Sequence, residues 1–316
     1  MRLPRRIDEI IRRKESFLES ARNKIEKSTI RLQGTLLNDA VSQLIPQLDV
    51  KDGIIQDTAN NYRLVSEIEN IYSSFNNKVA STLLPQINSS IEQIVKLNQT
   101  AFQLTLAELP ARFEKVIENT RKLIDLKVGL KDGKLIRGGF LKSVLVSDPT
   151  EFKQFLSRAI TGQIPVQEFI SGIKEKIIGN TTKRGLTDRQ FNRFVYDLYH
   201  QYDAAYNTKV AEEFGMKYFV YSGNLIDDSR DFCAAHKDKV FHIDETKEWP
   251  SWTPAKGQDR GEFPDGWEVK AKDIYKVPSY IDYPGYDPLT DRGGFNCRHQ
   301  IMFISDELAK KKRGEK

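Results

Sequence analysis

Two short clusters of cysteine and histidine lie far apart in the sequence. Cys233 and His236 have the spacing C-x-x-H, and Cys297 and His299 have the spacing C-x-H, with His242 close to the first pair. Both cysteines of the chain and three of its four histidines are among these residues. Two thiolates and two imidazoles are a suitable ligand set for tetrahedral zinc. The spacing therefore predicts a structural zinc site formed by Cys233, His236, Cys297 and His299.

Two other arrangements of the same residues stay open. Cys233 and Cys297 form a disulfide in one of them, although assembly in a reducing cytosol disfavours that bond. In the other, the cysteines and histidines are buried together and hydrogen-bonded without a metal. The C-x-H spacing is tighter than the usual spacing of zinc ligands, but residues two apart in a strand point to the same side.

A catalytic interpretation of this region needs acids and bases as well. The candidates for a hydrolase or nuclease metal site are Asp227, Asp228, His236, His242 and His299. Cys233 with a histidine and an acid would suit acyl transfer. Asp228 is also typical of a helix N-cap, and no H-E-x-x-H, P-loop or G-x-S-x-G motif occurs. We expect no enzyme activity, and keep a metal-dependent hydrolase or nuclease as the alternative.

Amphipathic helices precede this region. Apolar residues recur three and four apart over residues 7–45, 64–83 and 87–106, which is the helical period. Pro85 and Pro110 interrupt the pattern, so we predict successive helices that begin near each proline. These helices either pack as hairpins and bundles within the chain, or present an arm that binds a partner helix to helix.

Turns and caps divide the rest of the chain. Gly-containing turns are predicted at residues 50–53 and 131–134. Asp148 is predicted to cap one helix, and another helix is predicted over residues 165–178. The clearest helix starts with a capping box at Thr187 and Gln190 and ends at a left-handed Gly215. An aromatic strand is predicted over residues 217–221.

Composition favours an elongated, helix-rich protein. The chain has 316 residues, a formal net charge of +5, 39% hydrophobic residues and 29% charged residues. We predict a mainly α fold with an extended helical N-terminal region over 1–140, a helical middle region over 141–215, and a small α+β, loop-rich module over 216–316. No long apolar run or signal core occurs, so we expect synthesis in a cytosol and no membrane partner.

The C-terminal module differs in amino-acid composition from the rest of the chain. All three tryptophans, both cysteines and many prolines and glycines follow residue 226. Such a module has little apolar core and needs a cross-link, which a closed zinc site would supply. The basic tail Lys310–Arg313 is predicted to be disordered and solvated.

At these residues the sequence resembles the C-terminal domain of the Mu F-like phage head morphogenesis proteins. That family has an Asp-x-Arg, a Cys, a Lys-Val turn and a closing Cys-Arg-Cys or Cys-Arg-His. The matching positions are Asp228, Arg230, Cys233, Lys239, Val240, Phe241, Cys297, Arg298 and His299. The resemblance covers roughly residues 187–305. His236 replaces a second cysteine that many relatives have, and His299 replaces a closing cysteine; both are still able to bind metal.

The resemblance implies a structural role in a virus particle. Mu F-like proteins are minor head components that associate with the portal or the capsid interior, and they act in head assembly, DNA packaging or DNA exit. We therefore expect portal protein or major capsid protein as partners, and a location in the host cytoplasm and then in the virion. Another alternative is a cargo protein that is ejected with the DNA.

A docking mechanism follows as a hypothesis. The N-terminal helices bind portal or capsid through apolar stripes such as Leu64, Ile68 and Phe75, laid helix in groove. The basic surface and tail of the C-terminal module make salt-dependent, sequence-independent contact with packaged DNA.

Overall fold

A computed structural model of the chain describes residues 4–106, 110–145, 147–179, 186–225, 231–249, 287–292, 297 and 299–314. These residues are mainly helical, with a long helical N-terminal region and a small sheet in the C-terminal part, which confirms the predicted fold class. None of the described helices is long and apolar enough to cross a membrane.

Packing divides the chain into two compact units. Unit 1 comprises Met1–Ala21, Ser90–Val128 and Tyr196–Lys316, and unit 2 comprises Arg22–Ser89 and Gly129–Val195. Each unit therefore combines stretches from more than one of the three regions defined along the sequence. The division of roles among those three regions stays a prediction.

Two long helices run through the N-terminal half. They are α1 (Arg5–Leu44) and α2 (Ala59–Thr105). The apolar stripe of α2 is buried within the chain, where Leu64, Ile68 and Phe75 are each 0% exposed. This confirms packing inside the chain and corrects the docking hypothesis, because side chains that are already buried cannot supply the surface for a partner.

Pro85 lies inside α2, so the predicted helix boundary at this proline is wrong. A proline removes one backbone hydrogen bond and costs about 3 kcal/mol in a helix interior. Pro85 is exposed, and so is Ser81, the residue whose carbonyl loses its helical N–H partner. The buried stripe continues through Leu83 and Ile87 on either side, and this burial outweighs the local cost.

Two tight hairpins with the same central sequence lie in unit 2. The strands β1 (Val50–Lys51) and β2 (Ile54–Ile55) pair antiparallel, as do β3 (Leu130–Lys131) and β4 (Lys134–Leu135). An Asp-Gly pair forms each turn with positive φ at both residues: 51° and 76° in the first hairpin, 50° and 71° in the second. This is the geometry that Asp-Gly favours in two-residue hairpins, and it confirms both predicted turns.

Shorter helices complete the helical part. They are α3 (Phe113–Val128), α4 (Phe140–Leu145), α5 (Thr150–Thr161), α6 (Val166–Ile178) and α7 (Leu186–Glu213). Helix α3 begins close to Pro110, whose carbonyl accepts the Phe113 N–H at 2.8 Å, as predicted. Gly215 follows α7 with a φ of +67°, which confirms the left-handed cap. The Thr187–Gln190 capping box involves side chains outside the described part.

A three-stranded antiparallel sheet forms the centre of the C-terminal part of unit 1. Its order is β6 (Val240–His242), β5 (Tyr218–Ser222) and β7 (Gln300–Ile304). Strand β5 confirms the predicted aromatic strand. The connecting elements are α8 (Asp231–His236), a 3-10 helix (Ile243–Glu248), α9 (Pro288–Asp291) and α10 (Asp306–Arg313).

The two faces of this sheet have different cores, because successive side chains of a strand alternate between faces. On one face, Met302 packs against Ile7 and Ile11 of α1, and Val220 packs in a cluster that includes Ala309 of α10. The other face is aromatic: Phe219 contacts Phe241, Phe303 and Trp249 at ring-centroid distances of 5.7 to 5.9 Å.

The basic tail is helical, so the prediction that it is disordered is wrong. Ser305 caps α10 by accepting the Leu308 N–H, and Gly314 ends the helix with a φ of +74°. Acidic residues occupy the first turn and basic residues the last, which suits the helix dipole. Arg313 also pairs with both carboxylate oxygens of Glu245, at 2.7 and 3.1 Å.

Candidate metal centre

Three of the four predicted zinc ligands meet in unit 1. Cys233 is in α8, and Cys297 and His299 come directly before β7; their exposures are 3%, 3% and 2%. One ligand atom from each of the three lies within 4.8 Å of the others. The two Sγ atoms are 3.9 Å apart, and Cys297 Sγ is 3.8 Å from His299 Nδ1. The two sulfurs are not joined in a disulfide, which needs an S–S distance of about 2.05 Å.

These distances match those around a tetrahedral metal. A Zn–S bond of about 2.3 Å corresponds to an S···S distance of about 3.8 Å between two ligands of a tetrahedron. The donor set of two sulfurs and an imidazole nitrogen is also one that zinc favours. The three residues are therefore compatible with metal binding at a site that crosslinks positions 64 residues apart in the sequence.

The Cys297 thiol lies in a charged and hydrogen-bonded environment. Burial alone would raise the pKa of Cys297, but hydrogen bonds with Cys233 and His299 and the charge of Arg292 hold this pKa well below its ordinary value of 9.0. Thiolates are the form of cysteine that binds metals. The Tyr221 ring stacks on His299, with centroids 5.1 Å apart and an interplanar angle of 20°.

The other two histidines of this region are not members of the three-residue group. The ring of His236 packs against Phe241 and Trp249, each at a centroid distance of 5.1 Å. The ring of His242 accepts the Asp244 N–H at 3.2 Å and so caps the 3-10 helix. A role for His236 as a fourth zinc ligand stays a prediction.

The Lys-Val-Phe segment forms the turn into β6 and the start of that strand. Asp238 has a φ of +61°, and its N–H donates to the carbonyl of Tyr221 at 2.7 Å. The Lys239 carbonyl accepts the Tyr221 N–H at 3.0 Å, Val240 is buried and Phe241 joins the aromatic face. Asp228, Arg230 and Arg298 lie outside the described residues, so their structural roles stay predictions.

Gly223 determines how closely strand β5 approaches His299. Its φ is +152°, and a Cβ at this position would lie 2.7 Å from Cδ2 and 2.9 Å from Cα of His299. Neither the backbone conformation nor the space suits a side chain.

We expect Gly223→Ala to destabilise the protein by about 1–3 kcal/mol and to displace His299, because the methyl group meets both the ring and the backbone. Urea unfolding measures the loss, and faster reaction of the two thiols with a thiol reagent reports the displacement. The control is Gly34→Ala in α1, where a Cβ meets nothing within 4 Å. Equal stabilities of the two variants would contradict this account.

A buried polar network that the sequence analysis missed lies elsewhere in unit 1. Lys14 Nζ contacts Asp203 Oδ1 and Asn98 Oδ1, both at 2.8 Å, and Asn98 Nδ2 donates to Asp203 at 2.8 Å. The three residues are at most 1% exposed and belong to α1, α2 and α7. Burial lowers the pKa of Lys14, and the negative charge and hydrogen bond of Asp203 oppose this shift. One feature of the sequence could have indicated this buried lysine: Lys14 lies in the apolar stripe of α1, four residues from both Ile10 and Leu18.

The fourth histidine is also buried in unit 1. Burial and the charge of Arg292 lower the pKa of His200 to about 3. The backbone carbonyl of His200 accepts a hydrogen bond from Arg292 Nη1 at 3.0 Å. Because this pKa lies far below 7, the His200 imidazole is neutral near pH 7.

Comparisons of the chain with protein families, with curated proteins and with solved structures find no match.

Proposed function

We propose that this chain is a phage minor head protein that acts in head morphogenesis, with portal protein or major capsid protein as its partner. The support is the Mu F-like pattern of residues 187–305, including the Cys233, Lys-Val and Cys297 positions. Some of those motif residues lie close together: Val240 and Phe241 pair with β5, and the sulfur atoms of Cys233 and Cys297 are 3.9 Å apart.

One observation favours a structural role over a catalytic one. Cys233, Cys297 and His299 are each at most 3% exposed, and the ring of Tyr221 stacks on His299 and packs against the rings of His236 and Trp249. A catalytic group has to reach its substrate, whereas a structural metal site is closed. The buried cluster thus supports an assembly protein more than a hydrolase or nuclease.

The cluster is proposed to hold a structural zinc ion. Cys233, Cys297 and His299 would bind it, and the ion would tie α8 to the start of β7. A zinc ion linked to both segments stabilises only the folded chain, because the unfolded chain does not hold the ligands together.

A contact with packaged DNA is the second part of the proposal. Helix α10 carries Lys310 and Lys311 in its exposed last turns. Cations on a folded surface bind phosphates without reading sequence, and such binding weakens with salt. This contact would place the C-terminal module beside the DNA in the head.

The proposal is tested in a lysate of the phage or induced prophage that encodes the chain. We expect the protein to sediment with heads on a density gradient and to be present at a few copies per portal by quantitative mass spectrometry. Recovery only in the soluble fraction would overturn the head assignment.

The enzyme alternative is tested separately with purified protein. Metal-dependent cleavage of DNA that His236→Ala abolishes would favour a nuclease, whereas unchanged DNA supports the assembly role. Trp249 and Phe241 pack against His236, so the thermal melt of the variant is compared with that of the native protein to exclude misfolding.

A further inference from the structure

Tyr221 points its hydroxyl at both cysteines. The Oη atom lies 3.4 Å from Cys233 Sγ and 3.4 Å from Cys297 Sγ. The residue is 0% exposed and lies in β5, the central strand of the sheet. Tyr221 is therefore held by the sheet beside the three candidate ligands.

Strand geometry explains why the tyrosine and the ligands meet. Tyr221 pairs with Ile301 across the antiparallel β5–β7 ladder, so the two side chains share a face of the sheet. Residues two apart share a face, and Cys297 and His299 precede Ile301 by four and two residues. The stacking of Tyr221 on His299 agrees with this placement.

The distances fit a fourth metal ligand. Bonds of about 2.3 Å to sulfur and 2.0–2.2 Å to oxygen correspond to an S···O distance of about 3.5–3.7 Å between ligands of a tetrahedron. The two observed S···O distances of 3.4 Å are within a few tenths of an ångström of this range. We propose that Tyr221 Oη is the fourth donor of the metal site, which it completes as a closed set of two sulfurs, one nitrogen and one oxygen.

This inference rests on the proposed metal site and adds a ligand to it. The sequence spacing predicted His236 as the fourth ligand, and its ring packs on Phe241 and Trp249. On binding, any protons that the two cysteines and the phenol still carry are released to solvent, and a divalent ion with two thiolates and one phenolate would carry one net negative charge.

The probe is Co²⁺ added to the metal-free full chain, because its visible spectrum reports coordination number and sulfur ligation. We expect one Co²⁺ per chain, a four-coordinate spectrum, and an ultraviolet difference signal of one ionised tyrosine. Tyr221→Phe keeps the ring and removes the oxygen. It should abolish the tyrosine signal and weaken binding by more than about 100-fold, beyond the 10–100-fold typical of an outer-shell partner.

Tyr218→Phe is the matched control, since it removes a hydroxyl from the same strand and should leave the spectra and affinity unchanged. Melting of the metal-free variants checks that both fold. If Co²⁺ binds to the cysteines but no tyrosine ionises and Tyr221→Phe binds equally well, Tyr221 is not a ligand and the metal proposal stands. If the native chain binds no Co²⁺, the metal proposal fails and the Tyr221 assignment fails with it.

Discussion

Replacing Lys14 with methionine is expected to destabilise the protein by about 3–5 kcal/mol, because the substitution leaves Asp203 as an uncompensated buried charge. The pair is 2.8 Å apart, and its side chains are 1% and 0% exposed. An exposed ion pair would contribute far less, since water screens it. Equilibrium urea unfolding, followed by circular dichroism, measures the change.

Two further variants identify the cause of that loss. Arg13→Met removes a neighbouring, exposed charge from the same helix and should change stability by less than about 0.5 kcal/mol. Lys14→Met combined with Asp203→Leu removes both charges, and we expect it to recover part of the loss, since apolar pairs often replace buried ion pairs without penalty. A double variant no more stable than Lys14→Met would show that the charge of Asp203 is not the cause.

Removing the proposed zinc ion is the second change with a large expected effect. If zinc binds the folded chain alone, a free zinc concentration about a thousand times the dissociation constant stabilises the protein by about 4 kcal/mol. A strong chelator should therefore lower the free energy of unfolding by this amount. Added zinc should restore it, and mild acid should have the same effect as the chelator, because the ligands must be deprotonated.

Cysteine variants serve as the internal control for the chelator. Cys233→Ser and Cys297→Ser should each lose most of the metal-dependent stability, and the double variant should lose little more, since both cysteines would bind the same ion. Chelator should no longer change the unfolding curve of the double variant. If both variants unfold like the native protein, the cysteines and His299 form a buried cluster that packs without metal.

The sequence determined the features that depend on neighbouring residues. The helical period predicted the buried stripe from Leu64 to Leu83, and Asp-Gly pairs predicted both hairpin turns. Gly215 ended α7 as predicted because few residues other than glycine adopt a positive φ at low cost. The residue types of Cys233, Cys297 and His299 also pointed to a metal before their positions in space were known.

Predictions from local sequence failed where solvent exposure, capping or tertiary packing outweighs the preference of the local residues. Pro85 continues α2 because its ring is exposed while the stripe on the other face stays buried. Helix α10 forms because capping by Ser305 and packing of Ala309 add to a sequence that by itself looks solvated. Neither the helical period of apolar residues nor a run of charged residues reveals how exposure, capping and tertiary packing contribute.

Only the tertiary structure decided which distant residues meet. Lys14 and Asn98 are 84 residues apart, Asn98 and Asp203 are 105 apart, and Tyr221 is 76 residues from Cys297. Their contacts depend on how α1, α2, α7 and the sheet pack in unit 1, whereas periodicity constrains only residues a few positions apart. Sequence spacing predicted His236 beside the two cysteines, whereas packing brings the Tyr221 hydroxyl to 3.4 Å from each sulfur, because strand pairing and not spacing fixes which side chains share a face.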